Sequence, residues 1–112
     1  MNSDNRIAPR HVFESRIQIR FRRGSQNFAV QGWARDLSES GLGAFVAEDL
    51  LIGELVTIQI ELASGKETIA AKVVRKVGTQ YGFQFTALSP EQRLGIQAAL
   101  RGQPPIPRHA NR

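Results

Sequence analysis

From Val56 to Leu62 apolar and polar side chains alternate without interruption, Val56, Ile58, Ile60 and Leu62 against Thr57, Gln59 and Glu61. A period of two marks an extended strand with one face in a core and the other in water. The same alternation returns in other runs. Ile17, Ile19 and Phe21 alternate with Arg16, Gln18, Arg20 and Arg22 in a strand from His11 to about Phe21. Phe28 and Val30 carry a second from Gln26 to Arg35, with Gly32 as a candidate bulge. A short third strand runs from Leu42 to Ala47, and a connection from Glu48-Asp49 to about Gly53 leads into the Val56 strand. Ile69, Ala71 and Val73, then Tyr81, Phe83 and Phe85, supply two more. Turn residues separate them: Arg22-Arg23-Gly24-Ser25, where Gly24 is free to take positive φ, Ala63-Ser64-Gly65-Lys66 and Gly78-Thr79. About six short strands with short turns predict a mostly β fold, a small antiparallel barrel.

One helix closes the pattern. Ser89-Pro90-Glu91-Gln92 combines an N-cap serine, proline at the first helical position and a glutamine placed for a capping box. Leu94, Ala98 and the pair Ile96/Leu100 give an apolar stripe expected to cover one end or mouth of the barrel. Gly102 ends the helix and Pro104-Pro105 prevents its resumption. The expected organisation is a flexible arm over residues 1–11, a barrel with its helix over 12–101, and a disordered, basic, proline-rich tail over 102–112. At 112 residues the chain holds one domain with one modest core.

The charge narrows the function. The net charge is +5, and apart from Lys66, Lys72 and Lys76 every basic side chain is arginine. Arginine presents a flat fork of donors that grips phosphate or a guanine edge at two points and stacks on rings, so the bias suits an anionic, nucleotide-like partner. A plain preference for arginine on the surface accounts for the composition equally well. No cysteine is present, which removes disulfides and thiolate metal sites. The only histidines are His11 and His109, and no carboxylate pair or metal-ligand spacing stands out, so no enzyme, metal or cofactor is expected. Without an apolar membrane span or an apolar N-terminal leader segment, a cytoplasmic location without membrane insertion is expected.

Two short segments carry the chemistry. Arg6-Ile7-Ala8-Pro9-Arg10 places two arginines four apart just before the first strand. On a flexible arm they form a clamp able to order on a ligand; the plainer alternative is a solvated basic arm. Asp36-Leu37-Ser38-Glu39-Ser40-Gly41 links the second and third strands. Asp36 is acceptor-only and matches the two N–H donors on the Watson–Crick edge of guanine. Ser38 is able to donate to a phosphate or base acceptor, and Gly41 permits a backbone bend or close approach. The plainer alternative is a turn in which Asp36 or Ser38 bonds nearby amides.

RxxxR before the first strand, followed by DxSxxG after the second, resembles the paired signature of PilZ domains, matched at Arg6, Arg10, Asp36, Ser38 and Gly41. Ala71-Lys72-Val73-Val74-Arg75 and Tyr81-Gly82-Phe83-Gln84-Phe85 are similar to the family's later strands, and the resemblance extends over about residues 6 to 101. It implies a PilZ-like split barrel that binds cyclic di-GMP and, on changing conformation, signals to an effector protein. It further implies that Arg6 and Arg10 meet phosphates and a guanine Hoogsteen edge, while Asp36, Ser38 and Gly41 hold the other side. Members with an arginine directly before RxxxR take up a stacked ligand pair; Asn5 stands there, which implies one ligand per chain. Asn5 and Arg75 are candidate additional contacts. Trp33, the only tryptophan, is out of parity with Phe28 and Val30; an exposed role near the ligand, a protein contact and a core or barrel-end role all remain open.

Two other functions compete. The row Arg16, Arg20 and Arg22, with Arg23 beyond, suits a nucleic-acid-binding small barrel, although no interleaving of aromatic and basic residues marks a stacking platform. The other is a ligand-independent protein-interaction module, whose members usually lack the two motifs.

Overall fold

The computed structural model describes residues 9–106. Six strands, β1 (His11–Arg23), β2 (Gln26–Leu37), β3 (Gly41–Val46), β4 (Leu55–Leu62), β5 (Gly65–Val77) and β6 (Gln80–Ala87), precede one helix, α1 (Pro90–Arg101). All pairings are antiparallel, and the strands close into a barrel in the order β1-β2-β3-β6-β5-β4. The alternation read from the sequence is the inside–outside alternation of this barrel. Ile17, Ile19, Ile58, Ile60, Ile69, Val73 and Tyr81 are all buried in one core. The first hairpin turns at Gly24, whose φ of 61° is the left-handed value that residue was expected to supply.

Four of the five strand connections join neighbours in the barrel. The exception is β3 to β4, which crosses a barrel end. Its middle residue, Leu50, is fully buried, and its amide donates to the Tyr81 hydroxyl (3.1 Å), which in turn donates to the Glu48 carbonyl (2.9 Å). Glu54 at the far side of this crossing pairs with Arg23 from the first hairpin (2.8 Å) and accepts from the Leu51 amide (3.0 Å).

The opposite end is covered by α1. Its capping box forms as expected: the Ser89 hydroxyl accepts from the Gln92 amide, and the Gln92 side chain accepts from the Ser89 amide. The buried face differs from the expected stripe. Gly95, Ile96 and Leu100 pack inward, whereas Leu94 is 64% exposed. Leu94 and Ile96 are about 200° apart on a helix, so only one of the two can face the barrel. The tight fit of Gly95 against Ser64 and Leu62 selects the Ile96 side.

Two further expectations are corrected. Gly32 is not a bulge: it stays in register with Ile17 and Val46, and a Cβ there would crowd the Phe45 carbonyl and the Ile17 side chain. Nor does the loose tail begin at residue 102. The Pro104 carbonyl accepts from the Val12 amide (3.1 Å), and the Ile106 amide donates to the Arg10 carbonyl (2.8 Å). This short bridge ties residues 104–106 to the start of β1, using backbone groups that an edge would otherwise leave unpaired. The rest of the expected tail, 107–112, and the expected arm up to residue 8 lie outside the described residues. No helix among the described residues is long and apolar enough to cross a membrane.

Candidate ligand-binding site

The site is made by two interruptions of the alternation. In β2, Ala34 pairs with Ala44 and Asp36 with Gly43, which leaves Arg35 as an extra residue. Ala34 and Leu37 both remain fully buried, so Arg35 and Asp36 between them both turn outward. In β5, Val73 pairs with Phe83 and Arg75 with Gly82, leaving Val74 extra. Val73 is buried, and Val74 and Arg75 both turn outward. Each bulge thus aims a charged side chain over the outer face of the two strands between them, β3 and β6.

That outer face is paved with glycine. Gly41 and Gly43 on β3 and Gly82 on β6 lie between the Asp36 wall and the Arg75 wall. The result is an open cavity of about 330 Å³ that also receives Arg10, Val74 and Gln84. Each glycine leaves room that a side chain would take. A Cβ on Gly43 would stand 2.7 and 2.9 Å from the two Asp36 carboxylate oxygens, and one on Gly82 would meet the Arg75 side chain at 3.2 Å. A Cβ on Gly41 would run into the Phe83 backbone carbonyl. Arg10, from the segment before β1, brings its Nε to 3.8 Å from Asp36 Oδ1. The Arg10 side chain is 42% exposed and that of Asp36 16%, so Asp36 is sheltered while Arg10 reaches into solvent. At 3.8 Å the pair is an ion pair without a direct hydrogen bond, and the carboxylate keeps its acceptor capacity.

Ser38 is buried, and its Oγ accepts from the Ser40 and Gly41 amides, each at 3.1 Å. The Ser38 amide closes the loop on the Gly41 carbonyl (2.9 Å), and the Ser40 carbonyl accepts from Phe85 on β6 (2.9 Å). This is the turn role weighed above. The hydroxyl fixes the loop that carries Asp36 to Gly41, and its proton points to Ser40 Oγ or the Gly41 carbonyl.

Of the sequence-derived site residues, Arg10, Asp36, Ser38 and Gly41 converge on this cavity, and Arg75 joins them from the far wall. Asn5 and Arg6 lie outside the described residues. Gly43, Gly82 and Gln84 were not anticipated, because their place depends on strand register. The spacing Gly41-Leu42-Gly43, with glycine at both outward positions, was the available signal. Trp33 is 42% exposed on the outer face, pairs with Arg16 and Phe45, and is not part of the cavity.

Comparison with protein families decides what this geometry belongs to. The model for the PilZ domain matches residues 4–102, nearly the whole chain. The chain belongs to the PilZ family. Solved structures agree on the fold. The PilZ domain of CeSA from a cellulose-synthesizing bacterium superposes with a TM-score of 0.64 at 20% identity, over 83% of this chain and 95% of that one. The PilZ domain of YcgR from Escherichia coli, solved with c-di-GMP, gives 0.64 at 19% identity, over 83% and 86%. No curated protein matches this PilZ domain in sequence. The small antiparallel barrel and the closing helix expected from the sequence are therefore those of the structure.

Proposed function

We propose that this PilZ domain is a receptor for cyclic di-GMP, binding it in the cavity between Asp36 and Arg75 and passing its occupancy to an effector protein. The observation that carries the reading is the pair of bulges, which set a carboxylate and a guanidinium on facing walls above a glycine floor. A carboxylate disfavours a simple phosphate ligand. It suits guanine, whose N1–H and N2–H donors pair with both of its oxygens. The glycines let a flat base lie against the backbone. Arg10 and Arg75 supply forks for O6/N7 of a base or for the two phosphodiesters. Arg6 would complete the clamp, Ser38 acts through the loop it fixes, and Asn5 favours one ligand per chain. The proposed role is binding and signalling without catalysis, in the cytoplasm.

The output would begin at the arm. Arg10 is hydrogen-bonded through its carbonyl to Ile106, so a shift of Arg10 on the ligand would be felt directly at residues 104–106. Isothermal calorimetry with cyclic di-GMP, and with GTP and cyclic GMP as controls, tests the reading. Saturable binding that prefers cyclic di-GMP, near one per chain, and that largely disappears in Arg10→Ala and Asp36→Ala is expected. A folded wild-type protein that gives no heat with cyclic di-GMP overturns it.

A further inference from the structure

A second concave surface lies on the barrel wall away from Asp36 and Arg75. Its cavity is about 630 Å³ and shares no lining residue with the cavity at Asp36. One register row crosses it: Ala29 on β2 faces Arg20 on β1, Arg20 faces Thr57 on β4, and Thr57 faces Ala70 on β5. Apart from Arg20 the row is made of small side chains, so the wall is hollow there. Above this floor stand Leu55, 68% exposed, and Phe28, 37% exposed. Exposed large apolar side chains gathered around a hollow are a signature of an interaction surface.

The charges around the groove specify the occupant. Arg20 and Arg22 line it, Lys72 pairs with Leu55 in register, and no acidic residue is in the lining. Arg20 donates from Nε only to the Gln18 side chain (3.0 Å), and Arg22 to the Gly24 carbonyl (3.2 Å). Neither has a carboxylate partner among the described residues. The nearby acid Glu54 is already taken by Arg23. The strands that frame the groove are paired within a closed barrel, so no free edge is offered for an added strand. Recognition must use side chains, as when an amphipathic helix lays its apolar face into a groove.

We infer that this groove is the docking surface for an acidic amphipathic helix of a partner protein, with Leu55 and Phe28 as the apolar anchors and Arg20, Arg22 and Lys72 as the cationic rim. The proposal deepens the signalling reading by supplying the effector's landing place, and it is separable from ligand binding. A fluorescein-labelled helical peptide of alternating Leu-Leu and Glu-Glu pairs serves as the probe, with a Lys-for-Glu version as control. Fluorescence anisotropy is expected to show binding of the Glu peptide only, weakened at least about tenfold by Arg20→Glu/Arg22→Glu and by Leu55→Glu. Calorimetry of the same variants with cyclic di-GMP is expected to match the wild type, which shows them folded and keeps the two conclusions apart. Equal binding of both peptides, or no binding by a folded protein, overturns the proposal. Two outcomes would replace the helix with another occupant. One is tight binding of a single-stranded oligonucleotide that the Arg20→Glu/Arg22→Glu pair abolishes. The other is self-association in sedimentation that Leu55→Glu abolishes.

Discussion

Replacing Gly43 by alanine places a methyl group 2.7 and 2.9 Å from the Asp36 oxygens, where an ordinary contact needs about 3.4 Å. The obstacle is the far end of a short side chain, so the carboxylate yields and the backbone stays. It must retreat by about 0.7 Å, which turns a ~2.9 Å hydrogen bond to a ligand into one of about 3.6 Å, beyond useful range. A hydrogen bond to a charged group contributes about 1.5–3 kcal/mol. Affinity for cyclic di-GMP should therefore fall roughly 10–100-fold, while the melting temperature moves little. Gly41→Ala is the counterpart. There the new methyl meets the Phe83 backbone carbonyl, which cannot retreat without breaking the β3–β6 pairing. That variant should lose stability first, by about 1–3 kcal/mol. Calorimetry and thermal unfolding on both proteins distinguish the two effects. If Gly43→Ala binds within twofold of wild type, the position of the Asp36 carboxylate does not govern recognition and the argument fails.

Other expectations follow from the same structure. Tyr81→Phe removes the hydroxyl that joins the Leu50 amide to the Glu48 carbonyl, leaving a buried donor unpaired; thermal unfolding should drop by roughly 10 °C, and an unchanged Tm would refute a structural role for that bridge. The Arg23 side chain donates to Glu54 and holds its carboxyl below the ordinary value of 4.5. The stabilisation is thus present above that value and is lost as pH falls through the lower folded-state one. The Tm gap between wild type and Glu54→Gln should be a few degrees near neutrality and close in acid; a gap that widens in acid contradicts the pairing. Truncation after Gly102 removes the acceptor of the Val12 amide, so that amide should exchange its hydrogen faster while the barrel core stays protected; unchanged exchange would mean that the bridge contributes nothing.

The strands were legible because each inner residue of a small barrel is buried and each outer one is wet, so a period of two survives in the sequence from Ile17 to Phe83. The bulges broke that period and were missed. Ala34 and Leu37 are both inward though three apart, and this odd spacing was the trace left by Arg35. Motif residues Asp36 and Gly41 could be named because they lie close together in the chain. Gly43 and Gly82 could not, since their roles exist only once β3 lies between β2 and β6. Arg75 was named as a neighbour, but its turn toward the cavity comes from the Val74 bulge. The helix stripe was read in part for a related reason: Ile96 and Leu100 are buried as expected and Leu94 is not, because the sequence offers two apolar faces and only the contact of Gly95 with Ser64 decides between them.

The bridge between residues 104–106 and the start of β1 makes this domain a joint as well as a vessel. The start of β1 and residues 104–106 lie side by side, and Arg10, which lines the cavity at Asp36, sits at the junction. A neighbouring module spliced onto either end would hang from the very segment that carries Arg10. Under the proposed receptor role, occupancy of the cavity would be transmitted as a torque on the connection, without any strand of the barrel having to move.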